Sequence, residues 1–158
     1  MSLKKNTCIM KKTFVFLALL SMLGCKKECV DNSDYFIFGH AYGFCAGNCV
    51  TLFKIDGENL YADDDATYTM LSSPDIPFQG TSLPAEKVAL AKALQAQMPA
   101  NLYNEPDGNV GCPDCHDQGL YYIKIKNGDT VREWRIDRDV PQYAAFCDSI
   151  YATAEQLK

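Results

Sequence analysis

Leu120-Tyr121-Tyr122-Ile123-Lys124-Ile125-Lys126-Asn127-Gly128-Asp129-Thr130-Val131-Arg132-Glu133-Trp134-Arg135-Ile136 is the stretch from which the fold is read. Two runs rich in β-branched and aromatic residues flank Asn-Gly, a strong short-range hairpin signal. With Asn127-Gly128 as the two-residue loop, Tyr121 pairs with Trp134, Ile123 with Arg132 and Ile125 with Thr130. Because side chains alternate along a strand, Tyr121, Ile123, Ile125, Trp134 and Ile136 share one face, the expected core side. Lys124, Lys126 and Glu133 fall on the other face, which reads as the solvent side.

Working outward, the segment after the hairpin has Asp139 as an expected N-cap, with Pro141 in the first turn. Tyr143, Phe146, Cys147, Ile150, Ala154 and Leu157 then recur at helical spacing. Upstream, Pro84 and Glu86 suit a helix beginning near Ser82, with Val88, Ala91, Leu94, Gln95 and Met98 on one face and Pro99 as the stop. A loop from Asn101 to Gly119 separates that helix from the hairpin. Strands are expected within Asp34 to Ala41 and Val50 to Ile55, and a third at Asn59 to Ala62 after the turn at Asp56-Gly57. Together these predict an α+β domain: an antiparallel sheet of hairpins with two helices packed on one face, braced by disulfides.

The N-terminal region has a different character. Lys11-Lys12 lead into the apolar run Thr13 to Leu23, Gly24 is small, and Cys25 follows. An apolar run of 11 residues is too short to span a bilayer, which takes about 20, and has the length of a signal-peptide core. Leu20-Ser21-Met22-Leu23-Gly24-Cys25 resembles a bacterial lipobox, in which the cysteine receives a diacylglyceryl group and the peptide is cut before it. Met10 begins a better signal than Met1, so residues 1–9 carry no information on the fold. The expected organisation is a signal peptide over 1–24, a lipidated tether over 25–33 and one globular domain over 34–158. The expected location is the cell envelope, lipid-anchored, at the outer membrane. Lys26-Lys27-Glu28 is similar to the charged surface-export signals of lipoproteins from Bacteroidota.

Cleavage before Cys25 removes 24 of the 158 residues and leaves 134, enough for one cored domain. Four of the 15 Lys and Arg precede Cys25 while all 20 acidic residues follow it, leaving 11 against 20 and a net charge of −9. Such a chain lacks the basic stripe that neutralises phosphates, so nucleic acid is not an expected partner. The expected partners are the membrane, through the lipid, and a protein or small-molecule ligand.

Six cysteines remain as disulfide candidates: Cys29, Cys45, Cys49, Cys112, Cys115 and Cys147. Export to an oxidising compartment favours bridges, and six cysteines allow 15 pairings. Local pairs Cys45 with Cys49 and Cys112 with Cys115 are open, as is cross-pairing of the two clusters. Cys112-Pro113-Asp114-Cys115-His116 also fits the attachment pattern of a c-type haem, which would make the chain a monohaem electron-transfer lipoprotein. That reading needs a distal ligand from His40, Met70 or Met98. A redox-active thiol pair would require a helix starting at Cys112, whereas a strand follows. Four cysteines holding zinc is a further alternative, disfavoured by export.

His40 and His116 do not assemble a Ser-His-Asp set, and no catalytic residue, metal site or resident cofactor is expected. Asp63-Asp64-Asp65 lacks the alternating spacing of a calcium loop and reads as a solvated turn, and Asp114 and Asp117 read as solvated acids. Tyr35, Phe36, Phe38, Tyr42 and Phe44 would line either a core or a sugar- or peptide-binding surface.

At Cys45-Ala46-Gly47-Asn48-Cys49-Val50-Thr51-Leu52 and again at Asp114 to Gly119 the chain resembles an uncharacterised family of Bacteroidota lipoproteins with a Cys-x-Gly-x-Cys loop. The resemblance extends over residues 34–158 by order of elements. It implies an envelope location and this fold, and no activity. The expected function is therefore that of a non-enzymatic binding module.

Overall fold

The computed structural model describes residues 34–74 and 76–158. Cys25, Cys29 and the expected signal peptide and tether lie outside the described residues. In chain order the elements are β1 (Tyr35–Ala41), β2 (Val50–Asp56), β3 (Asn59–Ala62), α1 (Ala85–Gln95), β4 (Gly108–Val110), β5 (Leu120–Asn127), β6 (Thr130–Ile136) and α2 (Ala144–Leu157). The strands form one sheet in the order β3-β2-β1-β5-β6-β4. Every neighbouring pair is antiparallel except β4 and β6, which run parallel. The fold is α+β, as expected.

The β5–β6 hairpin turns at Gly128-Asp129 rather than Asn127-Gly128. Tyr121 therefore faces Ile136, Ile123 faces Trp134 and Ile125 faces Arg132. Gly128 has φ 58, the left-handed value that a turn with glycine first requires. Its N–H also donates to Asp34 Oδ1 at 2.7 Å. The shift moves each pairing by two residues, one full strand period, so the expected core face survives. Ile123, Trp134 and Ile136 are fully buried there, beneath Val88, Ala91 and Leu94 of α1 and Phe146, Ile150 and Leu157 of α2. Burial of a side chain of this size contributes roughly 1.5–3 kcal/mol each.

Both helices begin later than their sequence signals suggest. Ser82 Oγ accepts the Leu60 N–H (3.1 Å), and Leu83 N–H donates to the Leu60 carbonyl (2.7 Å), so this segment pairs with β3 before α1 starts. Gln95, expected on the core face, is exposed. Asp139 does not cap α2. Asp137 instead accepts the Asp139 N–H at 2.9 Å within a turn, and Tyr143 precedes the first helical residue. Lys87 of α1 donates to the Leu157 carbonyl at 2.6 Å, satisfying an end group of α2 and locking the helices together.

The sheet face opposite the helices is the main departure from expectation. It is not a solvent face throughout: residues 63–74 and 76–80, including a 3-10 turn at Tyr68–Ser72, pack over part of it. Ile37, Ala41, Leu52, Leu120 and Tyr122 form a second core there with Ala66 and Leu71. Lys124, expected in solvent, is buried beside Glu133 (3.6 Å) and near the Ser73 carbonyl (3.5 Å). Glu133 also accepts the Tyr122 hydroxyl (3.0 Å) and Arg135 (2.6 Å), and Arg135 donates to the Leu71 carbonyl (3.1 Å). This polar network holds the covering segment on the sheet.

Candidate functional site

Register brings the two cysteine clusters together. Ala41, the last residue of β1, pairs with Leu120, the first of β5. The loop leaving β1 (residues 42–49) and the segment entering β5 (residues 111–119) must therefore run side by side at one end of the sheet. Asp34, which follows the expected tether, marks the other end of β1, about 20 Å away for a seven-residue strand.

Each loop closes on itself. Cys45 is bridged to Cys49 and Cys112 to Cys115, with Cα separations of 5.8 and 5.6 Å. Tyr42 N–H to the Cys49 carbonyl (2.9 Å) and Asn48 Oδ1 from the Val50 N–H (3.2 Å) complete the first loop. In the second, Gln118 accepts the His116 N–H (2.7 Å) and donates to the Cys112 carbonyl (3.0 Å). Cys147 is not bridged: it is a buried thiol in α2, and burial pushes its pKa up to about 12. The sixth candidate, Cys29, lies outside the described residues.

The loops are joined by Asp114, which is not the solvated acid expected of it. Its Oδ2 accepts the Gly43 N–H at 2.7 Å and its Oδ1 the Gly119 N–H at 2.9 Å, while its own N–H donates to the Gly119 carbonyl at 3.0 Å. Asp114 sits at φ 60, in the left-handed region that aspartate tolerates better than most residues. Asp137 supports the same loop by accepting the Cys112 N–H (3.0 Å). Burial alone would raise the Asp137 carboxyl; its bonds to the N–H groups of Asp139 and Cys112, with Gln118 and the charge of His116, outweigh that and hold it below the usual range. Gly119, with φ 78, has no space for a Cβ, because the Tyr42 ring lies against it.

Between the first loop and residues 65–68 lies a cleft of about 410 Å³, with Tyr42, Gly43, Asn48, Asp65, Thr67 and Tyr68 among its lining. The Tyr68 hydroxyl is held above its usual pKa by burial, by the Asp114 charge and by a hydrogen bond to that carboxylate. Of the Asp63 to Asp65 run, Asp64 and Asp65 are exposed. Asp63 instead accepts the N–H groups of Leu52 (2.9 Å) and Ala66 (3.2 Å), and burial raises its pKa. Phe44, at the tip of the first loop, is 85 % exposed. A second hollow of about 450 Å³ lies at the opposite end of the sheet, with Asp34, Tyr35, Lys92 and Tyr103 among its lining.

The two histidines are apart in the architecture. His116 is exposed on the second loop, whereas His40 is buried on the helix face against Tyr42 and Tyr151, at ring separations of 5.8 and 5.1 Å. No group of three or more His, Cys, Asp or Glu among the described residues is placed to hold a metal ion. Cys112 and Cys115, the two cysteines of the haem-attachment alternative, are the pair bridged in the second loop. No helix starts at Cys112, so the terminus that would activate a redox thiol is missing there. Sequence reasoning missed Asp114 and Tyr68; the signal available for the first was an Asp placed five residues before a Gly in a cysteine-closed loop. Compared with protein-family models, curated proteins and solved structures, the chain matches none.

Proposed function

We propose that this chain is a lipoprotein of the cell envelope, anchored at the outer membrane through Cys25, whose domain is a non-enzymatic binding module that recognises its partner with the two cysteine loops. The lipobox-like run Leu20 to Cys25, and the resemblance to Bacteroidota lipoproteins of unknown activity, support the location. Two local disulfides suit an oxidising compartment.

The observation that carries the binding reading is Phe44. A large apolar ring, 85 % exposed, sits on a loop that a disulfide closes and Asp114 fastens to its neighbour. A ring presented on a constrained loop loses little further freedom on contact, which is the condition for an anchor residue. This end is also the far end of β1 from Asp34.

A photo-crosslinking phenylalanine analogue at position 44 of the lipidated chain in intact envelopes tests this, with position 90 on α1 as the control. Adducts from position 44 and none from position 90 are expected. Equal labelling from both positions, or none from 44, refutes the reading. Palmitate labelling that persists in Cys25→Ala refutes the anchor.

A further inference from the structure

We propose that the cleft between the first cysteine loop and residues 65–68 binds a neutral oligosaccharide, an inference that rests on the binding-module reading and names its ligand class. No lysine or arginine lines the cleft, so a phosphate or carboxylate ligand would enter without a counter-charge. Asn48, Thr67 and Asp65 lie among its walls, and a wholly apolar ligand would strip them of water and return no hydrogen bond. What fits is a ligand with flat C–H faces for rings to cover and hydroxyls at its edges for these polar groups to meet.

Two tyrosines supply the rings, and both are held in place. Tyr42 lies against Gly119, where even a methyl group would collide with it, and meets His40 edge-on at 5.8 Å. Tyr68 lies beside Gly43, and its hydroxyl bonds Asp114. Rigid aromatic side chains lose little freedom on binding. Thr67 and Asn48 keep hydrogen-bonding capacity beyond their contacts to Thr69 (3.1 Å) and the Val50 N–H (3.2 Å), since a hydroxyl and a carboxamide each make several bonds. A volume of about 410 Å³ lies within the range of small-ligand sites and admits a short oligosaccharide segment.

The test is calorimetric titration of the full lipidated chain, in a detergent without sugar headgroups, with maltotetraose, cellotetraose, chitotetraose and mannotetraose. Trilysine and a heparin tetrasaccharide serve as charged probes. At least one neutral tetrasaccharide should bind with Kd below about 1 mM. Tyr42→Ala and Tyr68→Ala should each weaken it roughly tenfold or more, and Tyr103→Ala, outside the cleft, should not. Thr67→Val, at an exposed position, should weaken binding roughly threefold with an unchanged melting curve, separating lost contacts from lost folding. Failure of all four sugars, binding of a charged probe alone, or indifference to Tyr42, Tyr68 and Thr67 overturns the proposal. Crosslinking from position 44 would persist if only the ligand class were wrong, and would vanish with sugar binding if this end recognised nothing.

Discussion

Asp114 holds Gly43 across 71 positions of sequence, its carboxylate 2.7 Å from the Gly43 nitrogen, and through that bond two separately bridged loops become one surface. The same carboxylate accepts the Gly119 N–H, at the base of its own loop. Charge-assisted bonds to main-chain N–H groups are among the stronger ones available.

Asp114→Ala removes both acceptors and places alanine at φ 60. It should cost on the order of 2–3 kcal/mol in urea unfolding. Asp114→Asn keeps one oxygen and tolerates that conformation, so its cost should be about half as large. Equal stability of wild type and Asp114→Ala would show that the loops are not held by this residue.

Trp134 is fully buried, with its indole N–H directed at the Glu105 carbonyl (3.4 Å) and the Arg132 guanidinium 4.9 Å from the ring centre. Trp134→Ala should cost roughly 3–5 kcal/mol. The wild-type fluorescence, from the single tryptophan, should be blue-shifted and poorly quenched by iodide. A red-shifted, readily quenched emission from the folded chain would place that face in solvent.

Lys124 gives a contrast to its lysine neighbours because it is buried with Glu133 and near the Ser73 carbonyl. Lys124→Ala should cost on the order of 1–2 kcal/mol, where an exposed lysine would cost under about 0.5. Lys124→Met, which keeps the apolar stem, should recover part of the loss. No measurable effect of Lys124→Ala would mean that the 3-10 segment does not cover this face.

His40 links stability to pH. Burial holds its pKa below the ordinary 6.5, Lys158 acts in the same direction and Glu155 opposes it, and its Nδ1 has no hydrogen-bond partner among the described residues. Above pH 6.5 both folded and unfolded chains carry a neutral ring and the group contributes no pH dependence. Below that value the unfolded chain takes up the proton first, so stability falls with pH until the folded-state pKa is passed. The slope contributed is at most about 1.4 kcal/mol per pH unit. His40→Phe should remove this part of the acid loss between pH 6.5 and 5, and identical slopes in the two proteins would show that His40 is not buried as a neutral ring.

The sequence made the first core legible because Tyr121, Ile123, Trp134 and Ile136 alternate, and Phe146, Ile150 and Leu157 recur at helical spacing. Asn-Gly located the hairpin, yet Gly128 alone adopts the positive φ there, and the register moved by two. β4 has three residues, too few for any period to register, and its place beside β6 is helped by a tertiary ion pair, Arg132 to Asp107 at 2.6 Å. Lys124 and Asp114 look like surface charges because cover by a distant segment, for the first, and a bond to a distant loop, for the second, leave no mark in local composition. The cysteine spacing left the pairings open, and the juxtaposition of the two clusters follows from the pairing of β1 with β5, a long-range fact.

Non-reducing peptide mapping by mass spectrometry tests the central claim, that two locally closed loops build the recognition end. The full chain, purified without reductant and alkylated after unfolding, should yield Cys45–Cys49 and Cys112–Cys115 bridged peptides and an alkylated Cys147. In the folded chain Cys147 should resist the same reagent, its thiol buried and its pKa pushed up to about 12. A bridge between the two clusters, a bridge to Cys147, or a haem mass on the peptide holding Cys112, Cys115 and His116 would contradict the account.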